Sequence, residues 1–318
     1  MEANKNALAR YAPTVLIWIA LLSVPEWIDL FAYTDLATRV VTLGLAAMAL
    51  NFLLGYTGVL SFGHAAYFGL GAYGAGIMLR YLVPSTGLAI LAGTLAGTVA
   101  AMLIGPLIVQ LRGVYFAMVT IAFGQIFYFI AFRWNSVTGG DDGLTNWTRQ
   151  PIDLGFTLID IKNPAAFYYL ALGVFALCTG VMAWLLQSPF GRSLLAIREN
   201  ERRARFLGIP VNLHIWLSWV ISCAFASTAG ALYALLNNFV DPRSLHWTQS
   251  GTFVIMAVLG GMRSFWGPLI GAAIYVVLQD YLSSRTENWM SLIGLVFVLV
   301  VLFFPRGILG MFGRKTAS

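Results

Sequence analysis

The residues best suited to chemistry lie in one charged stretch, Pro189 to Pro210, which reads PFGRSLLAIRENERRARFLGIP. The sequence on both sides of it is apolar. Ionised side chains cost ~2.5 to 3.5 kcal/mol each at the centre of a membrane-spanning helix, so this stretch must lie in water. Arginine and glutamate side by side form directional ion pairs, which suit the docking of a partner protein. The charged residues are Arg192, Arg198, Glu199, Glu201, Arg202, Arg203 and Arg205.

Apolar residues within the same stretch recur at helical spacing, and Gly208-Ile209-Pro210 is typical of a helix stop. We therefore predict a short charged helix at the membrane face, within a cytoplasmic segment spanning 189–212. A plainer interpretation is that the arginines only fix orientation and contact anionic lipid. Interleaved acids and an apolar helix face are not needed for orientation, so they favour docking.

Other residue types lack the patterns of known catalytic sites. None of the three lysines (Lys5, Lys162 and Lys315) follows the glycines of a phosphate-binding loop, which excludes ATP hydrolysis by that route. The three histidines are far apart, and His-Glu-x-x-His, Cys-x-x-Cys and Gly-x-Ser-x-Gly motifs are absent. Cys178 and Cys223 fall in apolar runs and are expected to be core residues. We therefore expect no enzyme activity, no catalytic residue and no metal site.

Composition indicates what positions the charged stretch. Of the 318 residues, 59% are hydrophobic and only 10% are charged, against roughly 25% charged in soluble domains. A helix needs ~20 apolar residues to cross a bilayer. We predict an all-α polytopic integral membrane protein, a single transmembrane domain over 1–318. Its ten or so helices, some short or broken, lie near 14–32, 37–54, 64–80, 87–111, 114–133, 165–187, 214–236, 252–262, 267–284 and 288–304.

Basic residues set the predicted orientation. Both termini are placed in the cytoplasm, together with the charged stretch, because short cytoplasmic loops concentrate arginine and lysine. The net charge of +6 is explained in this way and does not indicate nucleic acid. Further basic residues on this side are Lys5, Arg10, Arg112, Arg263, Arg306, Arg314 and Lys315. Acids on the other side are Asp29, Asp35, Asp141, Asp142, Asp153, Asp160, Asp241, Asp280 and Glu287.

The predicted spans hold almost no charge, so proton or sodium coupling lacks its usual carrier and the energy for transport is expected to come from elsewhere. Two glycine-rich stretches share the pattern Gly-x-x-Ser-Phe, at 58–62 and 261–265, a weak hint of a parallel internal repeat. Glycines in such stretches either let helices pack closely or break a helix so that backbone lines a cavity.

Isolated polar residues have two interpretations each. His64 is either a hydrogen-bonded link between helices or a residue lining a conduit, and Gln125 favours an interhelical hydrogen bond. The outer loop 135–164 begins with glycine and aspartate at a density typical of tight turns. This loop either gates or receives a solute, or it simply connects two spans.

Four stretches resemble one family. GRSLLAIRENERRARFLGI resembles the coupling segment of branched-chain amino acid ABC importer permeases, LivM-type subunit. GYTGVLSFGHAAYFGLGAY, VTGGDDGL and VLGGMRSFWGPLIGA resemble further motifs of that family, in the same order. The resemblance covers roughly 36 to 310. The segment has Glu-Arg-Arg-Ala at 201–204 in place of the common Glu-Ala-Ala docking pattern, which leaves the choice of ATPase open.

The resemblance implies a division into subunits. A second, LivH-type permease would pair with this chain, two P-loop ATPases would dock beneath it, and a solute-binding protein would deliver substrate from outside. ATP and Mg would bind the ATPases, and this chain would bind no cofactor. The matching coupling positions are Arg198, Glu199, Asn200, Glu201, Arg202 and Gly208. Positions expected to shape the conduit or its packing are Ser61, Phe62, Gly63, His64, Gly260, Gly261, Gly267 and Pro268, and those of the outer loop are Gly139, Gly140, Asp142 and Gly143.

The implied location is the bacterial inner membrane, with the chain in contact with the lipid bilayer and with no nucleic acid. The implied solutes are branched-chain or related hydrophobic amino acids. Related permeases serve urea, short amides or aromatic acids, and the sequence does not choose among these. An alternative of a different class is a stand-alone channel or facilitator, which the glycine-rich, charge-poor spans would suit.

Overall fold

The computed structural model describes residues 14–25, 31–153, 158–262, 264–304 and 307–309. α-Helices cover most of this length: α1 (Thr14–Pro25), α2 (Phe31–Thr57), α3 (His64–Ile77), α4 (Thr86–Ile108), α5 (Val114–Arg133), α6 (Asn135–Thr138), α7 (Pro164–Gln187), α8 (Pro189–Glu199), α9 (Glu201–Phe206), α10 (Val211–Asn237), α11 (Trp247–Gly260), α12 (Gly267–Ser283) and α13 (Trp289–Phe303). A π-helical turn, Met78–Leu82, extends α3, and 3-10 turns lie at Gly140–Asp142 and Pro242–Leu245.

Two long helices, α2 and α10, form the centre of the bundle. In each, 83% of the most apolar window is buried, against 22% in α4 and α5. The helix α10 packs against α2, α3 and α4, while α11 and α12 pack against each other and against α2. Helices apolar on all sides belong either in a core or in lipid, and the central pair is of the first kind.

Small residues bring the central helices close together. A Cβ atom at Gly71 of α3 would clash with the backbone carbonyl of Ser227 in α10. The Ser227 hydroxyl lies within hydrogen-bond reach of the Tyr67 carbonyl, at 3.0 Å, and of the Cys223 carbonyl, at 2.8 Å. In lipid, where apolar burial drives helices together weakly, such close backbone approach supplies the packing energy. The glycines within α3 therefore serve packing, the first of the two predicted roles.

The long helices alternate in direction between two ends of the bundle. At one end, which we call the Arg-rich end, the Trp266 indole donates to the Thr14 hydroxyl at 3.1 Å and the Asn51 amide donates to the Ser264 carbonyl at 3.4 Å. The start of α1, the end of α2 and the start of α12 therefore meet there. Residues 55–63, 109–113, 188–212, 261–262 and 264–266 make up this end.

Helices occur at all ten predicted crossings, and five of them are long and apolar enough to cross a membrane: α2, α4, α5, α7 and α10. The helices α1 and α13 are shorter apolar helices. The fold is therefore a helical, multi-pass one, and the full count of ten crossings stays a prediction. The basic residues Lys5, Arg10, Arg263, Arg306, Arg314 and Lys315, with both termini, lie outside the described residues.

The opposite end, which we call the loop end, holds the segment between α5 and α7. Among its described residues the strand pairing is limited to a two-residue antiparallel ladder, in which Ile152 pairs with Ile159, and a bridge between Leu144 and Val240. Helix α7 begins cleanly because the Asn163 side chain accepts a hydrogen bond from the Ala165 N–H and Pro164 occupies the first helical position.

Basic residues are less one-sided than predicted. The Arg-rich end has the densest group, but five arginines lie at or near helix ends toward the loop end: Arg80, Arg133, Arg149, Arg243 and Arg285. Acidic residues of the same end accompany them. Arg149 also lies over the Phe167 ring, 4.4 Å from its centroid, and donates to the Leu236 carbonyl at 3.2 Å. Arg149 thus has local partners at the loop end, which the count of charges per loop overlooked.

Candidate functional site

The charged stretch folds into two helices, α8 and α9, where we predicted one. Asn200 separates them because its backbone is extended (φ −160°, ψ 103°) and its side chain accepts a hydrogen bond from the Arg203 N–H at 2.9 Å, capping α9. The predicted stop is where the sequence placed it. Gly208 has φ +81°, its N–H donates to the Arg205 carbonyl and the Ile209 N–H donates to the Ala204 carbonyl, the Schellman arrangement.

An apolar face holds both short helices against the bundle. Leu194, Ile197 and Ala204 are each at most 5% exposed. Ile197 and Ala204 belong to a small core cluster with Val211 at the start of α10. The predicted helical face is thus present at these positions, whereas Leu195 and Leu207, which share the spacing, face outward.

Glu201 is engaged inside the chain. Its carboxylate accepts from the Arg112 Nε at 2.9 Å and from the Arg205 guanidinium at 2.6 Å. Arg112 also donates to the Asn212 side chain at 2.6 Å, which ties the α4–α5 connection to α9 and to the start of α10. The hydrogen bond from Arg112, and then the positive charges of both arginines, hold the pKa of Glu201 below its ordinary value against the opposing effect of partial burial.

Arg198 also turns inward, although much of it is exposed. Its guanidinium donates to the Gly55 carbonyl near the end of α2. Its side-chain carbons pass beside Gly58, where an added Cβ would lie 3.2 Å from the Arg198 Cγ, and Gly58 has φ +76°. Arg198 therefore fastens α8 to the loop that joins α2 and α3.

Two of the remaining charged residues, Arg202 and Arg203, form an exposed surface with Phe206 and Leu207, which we call the α9 face. All four are exposed, and Phe206 reaches 90%. Within the described residues neither Arg202 nor Arg203 has an ion-pair partner. A large aromatic side chain beside unpaired arginines, held outward by a buried opposite face, has the composition of a docking surface.

A cavity of about 600 Å³ opens beside the junction of α8 and α9. Its walls include Phe62, Val114, Arg198 and Glu201. Phe62 of the first glycine-rich motif therefore lines this cavity.

The neighbouring motif residues are buried. Ser61 and His64 are fully buried, and a Cβ at Gly63 would lie 2.6 Å from the Thr120 carbonyl. The His64 Nε2 lies 2.7 Å from the Ser222 Oγ, and the Ser222 hydroxyl donates to the Ala49 carbonyl at 2.5 Å. Because that hydroxyl has one proton, Nε2 must be the donor to Ser222. This chain of bonds links α3, α10 and α2, which supports the interhelical interpretation of His64.

The second glycine-rich motif joins α11 to α12. Gly261 has φ +114°, Pro268 stands in the first turn of α12, and a Cβ at Gly260 would clash with the Gly267 carbonyl. Both Gly-x-x-Ser-Phe loops lie at the Arg-rich end, since an added Cβ at Gly55 would lie 2.5 Å from the Met262 carbonyl.

The outer motif packs on the segment that follows α10. Gly139, Gly140 and Gly143 all have positive φ, at 81°, 63° and 74°. The Leu144 N–H donates to the Val240 carbonyl at 2.9 Å and the Val240 N–H returns a bond at 3.1 Å. Asp142 lies in the exposed 3-10 turn and is not brought into this contact. The motif therefore fixes the backbone at Val240.

Sequence reasoning missed the roles of two residues here, Arg112 and Arg39. Arg112 was used only for orientation, although an arginine just before the glycine that precedes α5 was a usable sign. Arg39 lies within predicted span 37–54, and its Nε is buried without a hydrogen-bond partner in the described part of the chain. The statement that the spans hold almost no charge was therefore incomplete. The Gln125 amide nitrogen is likewise buried without a described partner, and so no described interhelical bond satisfies it.

No group of three or more histidine, cysteine, aspartate or glutamate side chains gathers in the part of the chain that the structure describes. Cys178 and Cys223 are both buried and free. Among the described residues, the charged groups at the Arg-rich end either form ion pairs or are exposed on the surface.

The sequence matches, over residues 32–301, the family described as branched-chain amino acid transport system, permease component. It is 29% identical over 296 residues to the high-affinity branched-chain amino acid transport system permease protein LivM of Salmonella typhimurium, covering 87% of this chain and 70% of the relative. LivM of Escherichia coli gives the same values. A probable LivH permease of Methanocaldococcus jannaschii is 26% identical, covering 85% of this chain and 90% of the relative. No solved structure matches the chain.

The family match spans most of the helical bundle, and it includes the α8–α9 segment and both glycine-rich motifs. The five long apolar helices agree with the match to a permease family on a membrane protein that crosses the bilayer several times. The chain therefore belongs to the permease family of branched-chain amino acid ABC transporters, with the LivM-type subunits.

Proposed function

We propose that this chain is the LivM-type half of an importer in the bacterial inner membrane that moves branched-chain or related hydrophobic amino acids into the cell. A LivH-type permease pairs with it, two P-loop ATPases dock at the Arg-rich end, and a solute-binding protein delivers substrate at the loop end. ATP and Mg bind the ATPases, and this chain binds no cofactor. Similarity to both LivM and LivH relatives supports the permease pair.

The observation that carries the proposal is the two-sided construction of α8 and α9. Their inner side is buried and fastened by Arg198 and Glu201, and their outer side presents the α9 face. The exposed side chains of Phe206 and Leu207 are unfavourable in water, and exposed apolar patches ringed by polar groups, here Arg202 and Arg203, mark interaction sites. The Arg-rich end is then cytoplasmic, as the positive-inside rule requires.

The internal fastenings suit transmission of movement. Arg198 connects α8 to the end of α2, and Glu201 connects α9 to the α4–α5 connection through Arg112. A displacement of the segment by docked ATPases would therefore reach the central helix α2 and the peripheral helices α4 and α5. Alternating access of a conduit requires such coordinated helix movement.

The test is co-purification of the tagged chain from its own membrane in mild detergent, with partners identified by mass spectrometry. We expect the second permease and the P-loop ATPases to be recovered. In the variant Arg202→Glu/Phe206→Ala we expect the ATPases to be lost and uptake abolished while the second permease is retained, because only the α9 face is changed. Arg198 and Glu201 are poor choices for this test because changing them also breaks internal contacts.

Lys162→Glu is the matched control, since it reverses one exposed positive charge at the loop end and should leave the ATPases bound. Full ATPase recovery with the α9-face variant would contradict docking there. Recovery of the chain alone, together with solute flux in liposomes that contain only this chain, would establish the stand-alone facilitator. The same importer serving urea, short amides or aromatic acids would show normal assembly and a different solute preference.

A further inference from the structure

A second cavity, of about 420 Å³, opens near the loop end between α3, α10, α11 and the segment that follows α10. We call it the loop-end pocket. Phe68 and Ala72, each 1% exposed, supply apolar walls from α3, and Tyr233 packs beside Phe68 with ring centroids 5.4 Å apart. Small-molecule sites occupy roughly 300 to 1,000 Å³ and are mostly apolar with a few polar groups. The pocket has the size of such a site, with apolar walls from α3 and α10 and a polar side formed by the segment after α10 and by α11.

Opposite charges share the rim of this pocket. Asp241 and Arg243 both line it, two residues apart on the Asp-Pro-Arg turn. One Asp241 oxygen accepts from the Arg243 backbone N–H at 2.8 Å, which orients the carboxylate and leaves its other oxygen free. The Arg243 side chain is exposed and forms no ion pair among the described residues. The two charges are therefore held close together without neutralising each other.

Two amides complete the polar side. The Asn237 nitrogen donates to the Tyr233 carbonyl at 2.8 Å, which leaves its oxygen as an acceptor near Asp241. Gln249, from α11, lines the pocket and has no side-chain hydrogen bond in the described part of the chain. Acceptors for an ammonium group and donors for a carboxylate thus surround one apolar hollow.

We propose that the loop-end pocket binds a free α-amino acid with an apolar side chain, its ammonium group at Asp241 and Asn237, its carboxylate at Arg243 and Gln249, and its side chain against Phe68 and Tyr233. This inference rests on the proposed transport function and names the site that receives the solute on the outer side. Charge-assisted hydrogen bonds at both ends of the solute supply orientation, and the apolar walls accept the side chain.

The same chemistry selects among the alternative solutes. Urea and short amides carry no charge, so they offer Asp241 and Arg243 weaker hydrogen bonds than a zwitterion in return for the desolvation of both ions. An aromatic acid would pair with Arg243 but would bring no cation to Asp241, whose charge would then repel the carboxylate. A zwitterion satisfies both groups at once, which no other solute class named above does.

The outer motif holds one wall of the pocket. Val240 lines the pocket and is fixed by its two backbone hydrogen bonds to Leu144. Gly143 lies so close that an added Cβ would clash with the Val240 carbonyl and lie 2.9 Å from the Phe239 ring. The glycine motif of the outer loop is thereby explained as a support for the pocket.

The experiment uses thiol labelling of Ser244→Cys, a position that lines the pocket, in the assembled complex in nanodiscs without the binding protein. Cys178 and Cys223 are buried and stay in place. L-leucine should slow labelling in a saturable manner. The matching amine without the carboxylate (3-methylbutylamine), the matching acid without the ammonium group (4-methylpentanoate) and urea should each need at least about tenfold higher concentration, as expected for loss of a charge-assisted hydrogen bond. Ser284→Cys, exposed after α12, is the control and should label at a rate that leucine does not change.

Two charge-removing variants complete the test. Arg243→Gln and Asp241→Asn should each raise the protecting concentration of leucine about tenfold, and asparagine keeps an oxygen for the Arg243 N–H, so the turn is preserved. No protection by leucine in a complex that transports leucine overturns the pocket and leaves the transport function standing. Equal protection by urea overturns the amino-acid assignment. Unchanged protection in both variants, with weaker docking of the binding protein, would make Asp241 and Arg243 a protein contact and overturn the proposal.

Discussion

The Arg-rich end and the loop end use their charged residues in opposite ways. At the Arg-rich end, Arg198 and Glu201 form a hydrogen bond and an ion pair within the chain, and Arg202 and Arg203 are exposed on the outer side of α9. At the loop end, close backbone contact at Gly143 fixes the structure, and the charges of Asp241 and Arg243 stay available in a pocket. The charged stretch is therefore partly an internal scaffold and partly an exposed surface. The segment after α10, which carries fewer charges, also has charged residues without an ion-pair partner among the described residues.

The number of charged residues in a segment does not determine which of them lack an ion-pair partner within the chain. The relative position of an arginine and a carboxylate decides whether they form an ion pair with each other or stay available to another molecule. The following three experiments separate fastening from free charge, in order of decreasing expected effect.

Gly143→Ala should be the most damaging of the three changes. The residue has φ +74° and ψ 177°, a region almost restricted to glycine that costs about 1 to 3 kcal/mol for alanine, and the clash with Val240 adds about 1 to 3 kcal/mol of overpacking. We expect a large drop in apparent Tm, measured by detergent-solubilised thermal unfolding, and loss of uptake. Gly208→Ala is the matched control: it has φ +81° but no atom within 4 Å of the added Cβ, so it should show the strain alone. Equal losses in both variants would mean that the contact at Gly143 does not support the loop end.

Arg198→Met should have an intermediate effect. It removes the hydrogen bond to the Gly55 carbonyl and keeps much of the apolar contact beside Gly58, for a loss of about 1 kcal/mol. Both the apparent Tm and uptake should fall. Arg202→Gln removes an exposed charge of the same segment and should reduce uptake with its apparent Tm unchanged. A Tm loss of the same size in both variants would contradict the distinction between a fastening arginine and a free one.

The pH dependence of Glu201 should be the smallest effect. Its pKa lies below the ordinary value of 4.5, so the stabilisation by Arg112 and Arg205 is complete above that value and is lost as the pH falls through the lowered pKa. For a pair about one-third exposed we expect roughly 0.2 to 1 kcal/mol.

The measurement is the apparent Tm of wild type and Glu201→Gln at pH 7 and at progressively lower pH, with stability checked for reversibility at each step. The two proteins should differ at pH 7 and converge in acid. Glu199→Gln, at an exposed residue with no ion pair among the described residues, should match wild type at every pH. A Glu201→Gln difference that persists unchanged in acid would show that the carboxylate charge contributes nothing there.

Much of the fold could be predicted from hydropathy alone. Each predicted crossing contains a helix, and the stop at Gly208 is found where glycine and proline indicated it, because these features depend on local chemistry. The break at Asn200 could also have been predicted, since asparagine is among the residues most favoured at a helix N-cap, where its side chain accepts a hydrogen bond from a backbone N–H two or three residues later. Propensity over the whole stretch, rich in leucine, arginine and glutamate, favoured one continuous helix and hid the cap.

The arrangement of the site depends on long-range contacts and was beyond sequence patterns. Arg112 and Glu201 are 89 residues apart, and His64 and Ser222 are 158 apart. Leu144 and Val240 meet only because α5 and α10 end together. No spacing rule relates such pairs, so the direction in which Arg198 turns and the wall that Gly143 supports appear only in the packed bundle.

The break at Asn200 has a mechanical consequence. If residues 189–206 formed a single rigid helix, a force on its exposed side would rotate the whole helix about its junction with α7. With an extended residue between them, α8 and α9 act as two links of a chain, each with its own anchor: Gly55 for the first and Arg112 for the second. If ATPases push on the α9 face as proposed, the force would reach the α4–α5 connection through Arg112, and it would reach the central helix α2 only across the joint at Asn200.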